Sequence, residues 1–282
     1  GFAGGYATSS HSLFASVIAG EGTGMERDYD FTSAHHAADL ADAAAIGTAA
    51  GERAVRRLNP RKVESQQLPV IFDPRVAHSI LGHFTGAISG VSVARGTSFL
   101  KDSLGKKVFA DGITIVDEPH RPRGLASKPF DGEGVANREW SLVNNGELAT
   151  WIMDSASARQ LGLATTGHAS RGTSGPPSPS TTNLYMQPGV SSRDDLLAGV
   201  ATGLYVSELI GFGVNGVTGD YSRGASGFWI ENGVLSHPVS ELTIAGNLKD
   251  MFLNVIPAND LTFRYGSNAP TLRIDGLMVA GT

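Results

Sequence analysis

The 282-residue chain contains no cysteine. That absence excludes a disulfide framework, thiolate zinc centres, iron–sulfur clusters and a cysteine nucleophile together. Any metal must be taken by histidine and carboxylate. Positive charge is also scarce: 22 Lys and Arg stand against 27 Asp and Glu, a formal net charge of −5. This balance excludes the general basic surface that non-specific DNA or RNA binding needs, so nucleic acid is not an expected partner. No apolar run approaches the ~20 residues of a membrane-spanning helix. The opening Gly1-Phe2-Ala3-Gly4-Gly5 shows no basic-then-apolar leader, so a cytoplasmic protein without membrane association is expected.

Glycine is abundant, 36 residues, well above the ~7% of an average chain. Spread through a sequence of ordinary hydrophobicity, it predicts many tight turns between short strands. Residues 1–33 read as a hairpin turning at Gly20-Glu21-Gly22-Thr23-Gly24. From Ser33 to Leu58 small and aliphatic residues recur at three- and four-residue intervals, predicting a helix capped by Ser33. Pro69-Val70-Ile71-Phe72 reads as a buried strand. Asp73 then caps a second helix, with Pro74 in its first turn, running to about Ser89. Beyond it the chain is mostly strand, interrupted by helices at 154–161 and after Ser191-Ser192, where acids fill the first turn. The polar stretch 167–183 reads as a mobile loop within a domain.

Several motifs invite a chemical reading. Gly211-Phe212-Gly213-Val214-Asn215-Gly216 has dinucleotide-fingerprint spacing, but no helix follows to hold a pyrophosphate, so turns in a sheet are expected. Gly90-Val91-Ser92-Val93-Ala94 lacks the last glycine of a nucleophile elbow and the strand before it. His35-His36, adjacent on the first predicted helix, point about 100° apart and read as a solvated pair. Asp131-Gly132-Glu133-Gly134 places two carboxylates in a turn, most simply a polar β-turn. His78-Ser79-Ile80-Leu81-Gly82-His83 is the most informative segment. In a regular α-helix its histidines stand about 140° apart, and a π-bulge at Gly82 is needed to align them. Ser79 stands where a metalloprotease helix carries its general-base glutamate.

That segment belongs to an ordered set: Phe130-Asp131-Gly132-Glu133-Gly134, then Ser157-Ala158-Arg159-Gln160-Leu161-Gly162 with Thr165-Thr166-Gly167-His168, Thr218 to Gly233, and Ile244 to Met251. Together they resemble the C-terminal two-thirds of the TldD/PmbA family, once called modulators of DNA gyrase. His83-Phe84-Thr85-Gly86 and Ser98 to Lys106 resemble its PmbA (TldE) branch. The resemblance implies an α+β fold: residues 1–62 end an N-terminal α+β domain, and residues 63–282 form a β-rich C-terminal domain of twisted or barrel-like sheets decorated by helices. His78 and His83 take the two metal-histidine positions, while Ser79 and the missing cysteine depart from the zinc-binding branch. The expected role is a cytoplasmic subunit, with no cofactor of its own, whose TldD-like partner carries zinc. The pair would act on unfolded or modified peptides. Two alternatives are an autonomous metalloprotease using His78 and His83, with Asp131 or Glu133 as carboxylate, and a homodimeric peptide-binding protein.

Overall fold

The computed structural model describes residues 2–281. β1 (His11–Ala19) and β2 (Glu26–Ala34) pair antiparallel across the glycine-rich turn, Phe14 opposite Phe31. The following helix, α1, runs Ala43–Arg56 and not from Ser33. Ser33 and Ala34 are held in β2 opposite Ser12 and His11, and Asp42 is the cap, its carboxylate accepting the Ala45 N–H at 2.9 Å. A cap ends the competition between strand and helix because it satisfies an otherwise unpaired N–H. Ile46, Ala50 and Ala54 form the buried stripe that packs on the hairpin. His35 therefore precedes the helix and is not simply solvated. Its Nδ1 lies 2.6 Å from the Ser9 carbonyl and its Nε2 3.1 Å from that of Gly124.

The rest of the chain begins with β3 (Gln66–Phe72), α2 (Pro74–Ala87) and α3 (Gly90–Ala94). Next come β4 (Ile115–Asp117), β5 (Trp140–Asn144), β6 (Glu147–Leu148) and α4 (Ser155–Gln160). β7 (Ala169–Ser170), β8 (Ser178–Pro179), β9 (Leu184–Met186) and α5 (Arg193–Ala198) follow. The chain closes with β10 (Thr202–Ile210), β11 (Asp220–Glu231), β12 (Val234–Asn247), α6 (Leu248–Leu253), β13 (Val255–Pro257), β14 (Ser267–Asn268) and β15 (Leu272–Ala280).

Five strands close on themselves in the order β12-β11-β10-β3-β15, and β15 returns to β12 with Ala245 opposite Met278. β15 is the seam. One of its edges pairs with β3, and the other pairs with β13 over its first residues and with β12 over its last. Closure leaves the ladder without a free edge there. A second sheet runs β14-β9-β4-β5-β6. The main core contains Phe72, Phe84, Phe109 and Phe252. The chain is thus α+β with a barrel-like sheet.

α2 starts as the sequence predicts: Asp73 accepts the Arg75 N–H at 2.9 Å, with Pro74 in the first turn. Its buried residues Ala77, Ile80, Leu81, Phe84 and Ala87 recur at helical spacing and turn one face into the core. α5 is closed by a reciprocal box between Ser192 and Asp195. The stretch 167–183 is not all loop, because Ala169 pairs with Pro179. Gly90 to Ala94 is helical, and the 211–216 glycines turn the chain into β11 without a helix. Among the described residues no helix is long and apolar enough to cross a membrane.

Candidate functional site

α2 carries both histidines singled out by sequence. It is regular from Pro74 to Ala87, without a π-bulge at Gly82, so residues five apart stay about 140° apart. The His78 ring stacks on Tyr265 at 4.7 Å. Burial lowers its pKa, while a hydrogen bond to the Arg75 backbone works the other way. His83 meets the edge of Tyr221, ring centres 5.7 Å apart. Burial first, and the Arg223 guanidinium second, push its pKa down to about 4. Its buried Nε2 has no hydrogen-bond partner among the described residues.

The carboxylates singled out by sequence do not complete a metal set. Ser79 donates back into its own helix, to the Val76 carbonyl at 2.7 Å. Asp131 is occupied by backbone, accepting the N–H groups of Glu133 at 2.9 Å, Val135 at 2.8 Å and Ala169 at 3.1 Å. Glu133 accepts the Ser155 N–H at the start of α4, at 2.8 Å. These two carboxylates therefore hold turns together, as the polar-turn reading predicts. Among the described residues no three His, Asp or Glu side chains gather closely enough to hold one metal ion.

Arginines and carboxylates dominate the cleft beside His78, where β2 and α1 meet α2, β10 and β11. Arg75, in the first turn of α2, donates to Asp28 at 2.8 Å. Arg57, just past α1, bonds Glu208 and the Ser226 hydroxyl and lies 3.4 Å from Glu26 and 3.6 Å from Asp28. Arg264 reaches Asp30 at 2.5 Å and also the Phe31 carbonyl, and Arg53 lies 3.2 Å from Asp30. Burial opposes ionisation of Asp30, but the Arg264 bond, the Phe31 N–H and Arg53 outweigh it and hold the carboxyl below its usual range. Tyr205 donates to Asp73 at 2.7 Å, and burial with that carboxylate raises the phenol's pKa. These pairs join residues far apart in the chain, so sequence spacing carries no signal for them.

Two cavities open on this network, both walled in part by Arg75. One, about 260 Å³, also touches Arg53, Arg193, Tyr205, Arg264 and Tyr265. The other, about 240 Å³, touches Arg57, His78, Ser79, Glu208 and Arg223. Both are lined mainly by polar and charged side chains.

Comparison with known proteins gives concordant results. Residues 65–281 match the model described as PmbA/TldA metallopeptidase C-terminal domain, and residues 1–58 that of the PmbA/TldA metallopeptidase central domain. The chain is 43% identical to Metalloprotease PmbA of Escherichia coli O157:H7, over 98% of this chain and 60% of that protein. A crystal structure from Bacteroides thetaiotaomicron, titled as a modulator of DNA gyrase, superposes with a TM-score of 0.87 at 32% identity, covering 97% of this chain and 60% of that one. TldE from Thermococcus kodakarensis shares the fold, with a TM-score of 0.86 at 23% identity over 96% of this chain and 63% of that one. The chain therefore spans about three-fifths of the length of these relatives. With one family model covering the whole β-rich part and a second covering the hairpin and α1, the chain belongs to the PmbA/TldD metallopeptidase family.

Proposed function

We propose that this chain is the non-catalytic, PmbA/TldE-type subunit of a cytoplasmic TldD/TldE-type protease that acts on unfolded or modified peptides. In this reading a TldD-like partner carries the zinc, and the arginine-rich cleft forms one half of the peptide channel. One observation carries it: α2 turns His78 and His83 to different neighbours, Tyr265 and Tyr221, with the Arg223 cation within electrostatic reach of His83. A structural or catalytic zinc takes three or four protein ligands in tetrahedral array. Two histidines on different sides of a helix, a serine in the glutamate position and a nearby cation that lowers the His83 pKa do not fit that ion. The position after His78 supplies no water-activating base either, since Ser79 is turned into its own helix.

The name metalloprotease borne by the 43% identical relative favours a second reading, hydrolysis by this chain alone through His78 and His83. The two readings part in one assay. Hydrolysis of an unfolded peptide in the presence of zinc is followed with this protein alone, with a TldD-like subunit, and with its His83→Ala variant. The expected result is no turnover alone, turnover in the mixture, and no effect of the substitution there. Turnover by the isolated protein that His83→Ala abolishes overturns the proposal. A stable homodimer that never exchanges with the TldD-like chain, seen by size measurement, overturns the partner assignment and leaves a homodimeric peptide binder.

A further inference from the structure

The 240 Å³ cavity next to α2 contains more hydrogen-bond donors than acceptors can use. Arg27, Arg57, Arg75 and Arg223 stand around it against Asp28 and Glu208. Both carboxylates are already engaged, Asp28 by Arg75 and Arg57, and Glu208 by Arg57, Arg27 and the Ser226 hydroxyl. Arg57 has a third carboxylate, Glu26, behind it. Arg223 has none: among the described residues it forms no ion pair within 4 Å. Among the described residues Arg75 Nε, Arg223 Nε and the Ser207 hydroxyl have no hydrogen-bond partner, and all three are closed off from water behind the cavity wall. Ser207 is 8% exposed, and the Arg75 side chain 10%.

Orphaned buried donors are costly and uncommon in native proteins, and these gain a partner only if the wall moves. A water in the cavity would leave the Arg223 charge without a counterion. A carboxylate supplies two oxygens and the missing negative charge, and charge-assisted bonds to guanidinium are the strong kind. We infer that this cavity receives a carboxylate of the bound peptide, with the unpaired Arg223 as its cationic anchor. The inference rests on the reading that the cleft takes peptide. The carboxylate has two sources, a peptide's C-terminus or an acidic side chain.

Binding of a labelled unfolded decapeptide to the purified protein, read by fluorescence anisotropy, tests it. Three forms are compared: a free acid without Asp or Glu, its C-terminal amide, and the amide carrying one internal Asp. Loss of the carboxylate is expected to weaken binding about tenfold or more, the worth of a charged hydrogen bond. Recovery by the internal Asp assigns the acidic side chain as a source; no recovery assigns the C-terminus alone. Arg223→Gln should bring the acid down to the level of the amide and leave the amide unchanged, whereas the exposed Arg171→Gln should change neither. Acid and amide binding alike, or an equal loss of both in Arg223→Gln, overturns the inference. Acetate alone reads the cavity without peptide: against chloride it should raise the melting temperature of the native protein and not that of Arg223→Gln. If no peptide binds but acetate shows this Arg223 dependence, the cavity stands and the peptide reading falls. If neither effect is seen, both fall.

Discussion

His83 sits half-buried within electrostatic reach of the Arg223 guanidinium and edge-on to Tyr221, and its protonation follows from those neighbours. Its pKa is down to about 4, whereas in the unfolded chain it returns to about 6.5. Between these values the unfolded state binds the proton and the folded state does not, so stability falls as pH drops from about 6.5 towards 4. Above that window His83 is neutral in both states and contributes no pH dependence. NMR titration of the imidazole should place its midpoint near 4, and His83→Gln should flatten the acid side of the stability curve across this interval. A midpoint near 6.5 would refute the burial argument. The pair His78 and His83 was legible in sequence as a spacing. Their neighbours Tyr265, Tyr221 and Arg223 were not, because no local pattern links α2 to strands so far along the chain.

Helices and strands here start where a side chain or a close approach decides the matter. The small-residue spacing before α1 correctly marks a helix, but Asp42 rather than Ser33 closes its N-terminus, since the hairpin ladder claims Ser33 first. Propensity is a weak prior and pairing overrides it. Asp73-Pro74 and Ser192 with Asp195 were legible because their capping chemistry is local. In the barrel, Gly227 on β11 lies against β10, where a Cβ would come within 1.9 Å of the Tyr205 carbonyl oxygen. Gly227→Ala must push two backbones apart, and it should cost about 3 kcal/mol or more in urea unfolding. Gly47 in α1 provides the contrast, because among the described residues nothing lies within 4 Å of its Cβ position. Gly47→Ala should stabilise by about 0.5–1 kcal/mol through helix propensity alone. Equal effects at the two sites would show that β10 and β11 can yield.

Arg57 ties the whole molecule together. It leaves the end of α1 and reaches Glu26 and Asp28 of β2 and Glu208 of β10, so one guanidinium joins the hairpin–helix unit to the barrel. Asp28 is only 3% exposed. Removing one partner of a buried pair is costly because the other charge is left short of compensation. Arg57→Ala is therefore expected to lower unfolding stability by about 3 kcal/mol, and added salt should rescue little of it, since buried pairs are weakly screened. A loss below about 1 kcal/mol would mean that Arg75 and water take over the load.

The sequence by itself determined the main helices, the caps at Asp73 and Ser192, the absence of thiolate chemistry and the family likeness, because these depend on composition and on residues a few positions apart; it missed α6 and the β7–β8 pair. Tertiary structure alone decided that β15 returns to close the barrel, that Arg223 comes within electrostatic reach of His83, and that arginines from β2, α2, β11 and the end of α1 wall one cavity. Those juxtapositions come from chain crossings and ring closure, and a linear pattern of period two or 3.6 holds no record of which distant residues the closed sheet brings together.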